Sequence, residues 1–490
     1  MKKHPASIDR RAFLQCCIAG TGALCGLPAL RAAAAGGTQP NIVFIFTDDQ
    51  ASWTIRALGG PDAYTPNLDR LFGESVTCPN AFVTTPVCSP SRLGLLTSRY
   101  GTEFGITDWI KPQLEHELGA DPSLPTWVKT LRDAGYATGL VGKWHLGVPD
   151  RFHPSVFGYQ HFAGFRIGGA PVENPEMEID GEKKVVTGLT VDVITDLGMD
   201  FIRKNAKKQP FMVSIHHRSP HRPWPPHAEE DMAPYKDRKM TIPNPDYPDL
   251  DVERVEEYMR DYLESVSGVD RNVGRVMDLL KELEIEENTI VIFSSDHGYN
   301  VGHHGIIHKG NASWMTKALR DVSEDQPLRK RPNMFDTSLR VPVAVRWPGV
   351  LAPGSTMNKC ITNLDWYPTL LAMAGIEAQT PTAIHGRDFL PLLKGETIPW
   401  DDSFYGEYSM HHTAQADMRM YRTPEWKLMI DYKNPGKNEL YHLSIDPGET
   451  KNLIDMAEYA EIQKQLEDAI LKRMRAIKDP LLDRLAKPTV

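Results

Sequence analysis

Asn41–Phe46 is a short buried-strand run that stops abruptly at Thr47-Asp48-Asp49-Gln50, and the same layout occurs three more times. Ala137–Val141 stops at Gly142-Lys143-Trp144-His145-Leu146-Gly147. Phe211–Ile215 stops at His216-His217-Arg218-Ser219-Pro220-His221-Arg222-Pro223, and Thr289–Phe293 stops at Ser294-Ser295-Asp296-His297-Gly298. Apolar β-rich runs alternating with helical stretches predict an α/β domain with a large, mixed, mostly parallel sheet flanked by helices. In such sheets ligands bind beyond the carboxyl ends of strands, where loops and helix N-termini converge. One aspartate after a strand commonly caps a helix, and Asp49 alone carries no more than that. Four strands delivering Asp, Lys, His and Asp-His to one edge predict a single site.

A chain of 490 residues is long for one domain, so a large domain and a smaller one are expected. Arg10-Arg11-Ala12-Phe13-Leu14 precedes a weakly apolar run, Cys17 to Leu30, and then Arg31-Ala32-Ala33-Ala34-Ala35. This has the form of a bacterial twin-arginine export signal over residues 1–35. The run is broken by glycines at 20, 22 and 26 and is shorter than the roughly 20 residues a bilayer requires. Export through the twin-arginine machinery to the periplasm or beyond is expected, without stable membrane insertion. Cys16, Cys17 and Cys25 would leave with the signal; Cys78, Cys88 and Cys360 are no disulfide framework, though Cys78 and Cys360 could pair. Losing five basic residues and one acidic one takes the formal charge from −9 to −13. Such an acidic protein has no general attraction for nucleic acid, and cations that bind an anion must be gathered at one place.

Cys88-Ser89-Pro90-Ser91-Arg92 follows a polar turn and leads into Leu93-Gly94-Leu95-Leu96, placing Cys88 near a helix start. There the thiol lies in the partly positive field of unpaired N–H groups, with Arg92 one turn on. These five residues match the C-x-P-x-R signature of the type I sulfatases, of the alkaline phosphatase-like superfamily. The resemblance extends through Asp48-Asp49-Gln50, Thr65-Pro66-Asn67-Leu68-Asp69-Arg70-Leu71, Gly142–Gly147, Pro220-His221, Asp296-His297-Gly298 and a closing Glu439–Leu453 segment, all in family order. It implies a sulfuric ester hydrolase in which Cys88 is oxidised by a formylglycine-generating maturation enzyme to 3-oxoalanine. One hydroxyl of the hydrated aldehyde attacks sulfur and the alcohol departs. Loss of the proton from the second hydroxyl then collapses the adduct to aldehyde and frees sulfate, splitting one hard step into two.

The resemblance also implies roles. Asp48, Asp49, Asp296 and His297, together with residue 88, would hold a divalent cation, calcium rather than magnesium. The Asp-His pair resembles the branch that includes iduronate and choline sulfatases, and His297 either ligates the ion or hydrogen-bonds beside it. Lys143 and Lys309, the latter from Gly302-His303-His304-Gly305-Ile306-Ile307-His308-Lys309, would clamp sulfate while Arg92 steadies residue 88. His145 would contact the hydrate and help expel sulfate, and His221 would contact substrate and protonate the departing alcohol. His303, His304 and His308 invite a zinc reading, but Lys309 interrupts them and no fixed motif supplies a further ligand.

Residues 253–281 have apolar spacing near 3.6 and predict a long amphipathic helix. The proline-rich stretch 218–251 is expected to form a wall of the substrate pocket. Asp321–Pro332, with Arg329-Lys330-Arg331, is either a solvated loop or a contact for further anionic groups on a glycan. The expected organisation is a catalytic domain over 36–378 and a C-terminal α+β subdomain over 379–490, with antiparallel strands and a helix from about 459 to 477. The leading function is desulfation of a sulfated carbohydrate. The alternatives are a phosphate or phosphonate ester hydrolase of the same superfamily and a non-catalytic glycan-binding relative.

Overall fold

The computed structural model describes residues 39–377 and 384–486. The expected export signal with its three cysteines, and the first part of the link after residue 377, lie outside the described residues. Six strands form the body of a ten-stranded sheet: β1 (Asn41–Thr47), β2 (Ala137–Lys143), β3 (His161–Phe165), β4 (Phe211–His216), β5 (Thr289–Ser295) and β6 (Ala344–Arg346). Their order is β6-β5-β1-β4-β2-β3, and shorter strands extend both edges. All neighbours from β5 to β3 are parallel, whereas β6 runs antiparallel to β5. The four runs that end in polar residues are therefore the four adjacent strands β5, β1, β4 and β2.

These strands are mostly apolar because both faces of the sheet are covered. Ile42, Phe44 and Phe46 of β1 enter one core with Ile290 and Ile292 of β5, while Val43 and Ile45 enter the other with Val291 and Phe293. The first core is closed by α1 (Cys88–Thr97). The second is closed by α2 (Thr190–Asn205) and the 31-residue α3 (Val252–Glu282), which buries Val269, Val273, Val276 and Leu280 on one stripe. Gly142 at the end of β2 has φ +96°, and a Cβ there would lie 2.0 Å from the His216 carbonyl oxygen. Only glycine lets β2 and β4 approach this closely as both strands deliver their polar ends.

The C-terminal part forms a four-stranded antiparallel sheet, β7 (Phe404–Met410), β8 (Ala416–Arg422), β9 (Trp426–Asp431) and β10 (Glu439–His442), packed by α4 (Ala460–Ala476). This is the α/β architecture with the smaller antiparallel unit that the sequence predicts. Cys78 and Cys360 are free and buried, and burial pushes the Cys360 thiol up to about 12. Among the described residues no helix is long and apolar enough to cross a membrane.

Candidate active site

α1 begins at Cys88, with the carbonyl of Val87 accepting from Ser91 N–H. Cys88 is 2% exposed and projects into the carboxyl edge of the sheet. Its Sγ lies 3.1 Å from Lys309 Nζ, 3.6 Å from His297 Nε2 and 3.7 Å from Asp48 Oδ1. Asp48 and Asp49 leave β1, Asp296 and His297 leave β5, and Lys143 ends β2. Lys143 Nζ donates to Asp48 Oδ2, and Lys309 Nζ donates to Asp49 Oδ1 at 2.5 Å. Asp49 has φ 69° and His145 has φ 60°, left-handed conformations that a non-glycine residue adopts at a cost. Asp49 caps no helix; its backbone turn aims the carboxylate at Lys309.

Arg92 lies one turn into α1. Its Nε donates to Asp296 Oδ2 at 3.0 Å, Nη2 makes an ion pair with the same oxygen at 2.9 Å, and Nη1 donates to the Lys143 carbonyl at 3.3 Å. Ser91 Oγ donates to the Asp296 carbonyl, so α1 is tied to the end of β5 on both sides of the aspartate. His297 Nδ1 is 2.9 Å from the Gly298 carbonyl, which can only accept. The proton is therefore on Nδ1, and Nε2 faces the cluster, 3.3 Å from Asp49 Oδ1 and 3.2 Å from Asp296 Oδ1. His145 Nε2 likewise donates to the Ile110 carbonyl at 3.0 Å, leaving a buried Nδ1 otherwise unpartnered beside Cys88. His221 Nδ1 donates to the Arg222 carbonyl at 2.5 Å, and Nε2 stands 3.9 Å from Asp49 Oδ2. The His221 side chain is 29% exposed, whereas the other predicted site residues are buried, so the mouth of the site lies on its side.

Burial alone would raise the Cys88 thiol and the Asp48 carboxyl. Lys143 and Lys309 outweigh it, and both groups lie well below their ordinary values. Asp296 is held up at about 7 by burial and by Asp48. Donor atoms of Asp48, Asp49, Cys88 and His297 all lie within 4.8 Å of one another, with every residue buried. Hard carboxylate oxygens with one imidazole suit a divalent cation, and Asp296 adds its carboxylate from the same strand end.

Some surroundings differ from expectation. His303 lies tilted against Trp53 and His304 stacks on Phe335, while His308 bonds Tyr299 Oη, so the three rings each have a different partner. Of the 321–332 cations, Arg329 is buried and donates to the carbonyls of Leu319 and Val322, Lys330 donates to Ser313 Oγ at 3.2 Å, and Arg331 pairs with Glu439. These are folding contacts, so the stretch is neither a plain solvated loop nor a row of cations free for a glycan. The residue there that bears on the site is an anion. Glu324 Oε2 accepts from Arg222 Nη1 at 2.8 Å and from His308 Nε2 at 2.9 Å, which are chain neighbours of His221 and Lys309. The sequence offered no pointer to it, nor to the Ile110 carbonyl.

The edge gathers two lysines and an arginine around a buried thiol with carboxylates beside it, an arrangement suited in charge to a tetrahedral oxyanion. It defines a hydrolase of the alkaline phosphatase-like superfamily. Within that class the Sulfatase family model matches residues 40–376, so the chain belongs to the sulfatase family and hydrolyses sulfate esters. A second model, N-sulphoglucosamine sulphohydrolase, C-terminal, matches residues 327–476. The N-acetylglucosamine-6-O-sulfatase of Bacteroides thetaiotaomicron is 27% identical over 523 residues, covering 90% of this chain and 87% of that one. Human N-acetylgalactosamine-6-sulfatase is 26% identical, covering 91% and 88%. A solved structure in complex with its substrate, D-glucosamine-2-N,6-O-disulfate, superposes with a TM-score of 0.76 at 25% identity, covering 90% of this chain and 99% of that one.

Proposed function

We propose that this sulfatase removes sulfate from a sulfated carbohydrate, using a formylglycine made from Cys88 and a calcium ion held by Asp48, Asp49, Asp296 and His297 with residue 88. The observation that carries this is the position of Cys88 Sγ, in reach of Lys309, His297 and Asp48 together. The aldehyde hydrate would supply the nucleophilic oxygen there, and the cation would offset negative charge beside it. Lys143 and Lys309 hold the sulfate oxygens and Arg92 fixes the position of residue 88. His145, with its proton on Nε2, presents Nδ1 as the acceptor for a proton from residue 88. His221, anchored through Nδ1, carries at Nε2 the proton that passes to the departing alcohol.

Two of the relatives are named for 6-sulfated N-acetylhexosamines, and the complexed structure holds a sulfated glucosamine. Sulfated amino sugars are therefore the first substrates to screen. The signal-like amino terminus supports export through the twin-arginine machinery, with Cys88 oxidised before crossing. We place catalysis in residues 36–378, with 379–490 as the supporting subdomain.

The test is peptide mass spectrometry of residue 88 in protein from its natural host, paired with turnover of matched sulfate and phosphate esters. A formylglycine mass and a sulfate preference are expected. An unmodified thiol with undiminished turnover would overturn the formylglycine route. A large phosphate preference would transfer the reading to phosphorus esters.

A further inference from the structure

A few residues beyond His221 in the chain, His227 meets Asp261 and Glu264 of α3. Asp261 and Glu264 stand three positions apart on the helix, so their carboxylates project from the same face. The donor atoms of the three residues all lie within 4.8 Å of one another. His227 Nε2 is 3.6 Å from Glu264 Oε2, beyond hydrogen-bonding distance, and has no hydrogen-bond partner although the side chain is only 6% exposed. A buried polar nitrogen pointing into a pair of carboxylates without bonding either is an unsatisfied donor or acceptor that a native structure normally resolves.

No protein cation closes the gap. Among the described residues no lysine or arginine nitrogen pairs with Asp261 or Glu264, and the neighbouring Arg260 is turned to the Tyr235 carbonyl and to Glu256.

We propose that His227, Asp261 and Glu264 bind a divalent transition-metal ion, zinc in the first instance, which fastens the 218–251 segment to α3. One imidazole and two carboxylates suit zinc, whereas calcium and magnesium favour all-oxygen shells. Bonds of about 2.0–2.2 Å to Nε2 and Oε2 span the 3.6 Å between those atoms at an angle of roughly 114–128°, wider than the tetrahedral value, so a small inward shift of either side chain completes the geometry. Asp261 is partly exposed, so water has access for a further position. The site is separate from the catalytic centre in donors and in elements. What it would hold down is the segment that delivers His221 to the mouth and buries Trp224 against Tyr262 and Tyr299.

The experiment uses the full chain in an Asp49→Asn background, so that the catalytic centre is weakened, with calcium in excess. Zinc is titrated by calorimetry, and cobalt absorption reads the geometry. One saturable zinc equivalent is expected, together with a higher melting temperature and slower proteolysis within 218–251. His227→Ala and Glu264→Gln should each weaken that equivalent by more than about 100-fold, beyond the effect of losing an outer-shell partner. Asp261→Asn, at the exposed position, serves as the variant least able to disturb the fold, and circular dichroism checks all three. Absence of a zinc equivalent, or zinc binding unchanged in Glu264→Gln and Asp261→Asn, overturns the proposal.

Discussion

At the scale of single residues, the centre is a set of charges that cannot be removed one at a time without consequence. Lys309 Nζ touches both Asp49 and Cys88, the nucleophile position of the proposed function. In a dry site a donor of this kind contributes about 3 kcal/mol to the transition state, so Lys309→Ala should lower kcat/KM on an aryl sulfate by about 100- to 1,000-fold. Lys309→Arg should not rescue it, because a planar guanidinium does not fit a pocket shaped for a compact ammonium. A loss below about tenfold would remove Lys309 from the sulfate clamp. The cation reading makes a separate prediction. Chelation should lower the melting temperature, and added calcium should restore it by binding the folded state alone. Asp49→Asn should abolish that calcium-dependent shift in a thermal melt.

At the scale of elements, the site is made by four adjacent parallel strands whose ends fall in register, and by loops that hold the ends still. Glu324 joins two of those loops by accepting from Arg222, beside His221, and from His308, beside Lys309. Its side chain bonds Arg222, Arg254 and His308 rather than residue 88, which makes it a candidate positioning residue. Misplacing catalytic groups by a fraction of an ångström is costly, so Glu324→Ala should lower kcat by roughly tenfold or more. Glu324→Gln, which retains the shape, should recover part of that loss, as read from steady-state kinetics; equal losses in both would mean charge, not position, is at stake. The strand ends were legible in the sequence because a continuous apolar run broken by Asp, Lys or His leaves a local mark. So was Cys88 at the start of α1, from the turn before it and Leu93-Gly94-Leu95-Leu96 after it. Glu324 was not, since an anion in a run of mixed charge looks solvated until distant segments close on it. The Arg329-Lys330-Arg331 cations misled for the same reason: their partners are backbone carbonyls, Ser313 and Glu439, which spacing does not reveal. The Ile110 carbonyl that orients His145 is a backbone atom with no side-chain signature at all.

At the scale of the molecule, the C-terminal sheet is no detachable appendage. Phe404 of β7 stacks on Phe82 at 5.0 Å, Tyr408 enters the first core, and Arg422 and Lys427 pair with the buried Asp336. Glu407 sits on this junction. Its Oε1 accepts from the Thr102 N–H at 2.8 Å, its backbone N–H donates to the Thr84 carbonyl, and its other oxygen is buried without a partner. Burial holds its carboxyl up at about 7 against an ordinary 4.5, although Arg419 pulls the other way. The folded protein therefore binds this proton more tightly than the unfolded chain does. The stability present below about pH 4.5 is lost progressively as pH rises to about 7, by about 3 kcal/mol in all. Glu407→Gln keeps the acceptor for Thr102 and cannot ionise, so it should match the parent near pH 5 and exceed it by about 1–3 kcal/mol at pH 8. Denaturant unfolding at the two pH values measures this, and because β7 is shared with the first core the gain should appear in one cooperative transition. A pH-independent difference, or a gain confined to a separate C-terminal transition, would show that Glu407 does not couple the two parts as the packing requires.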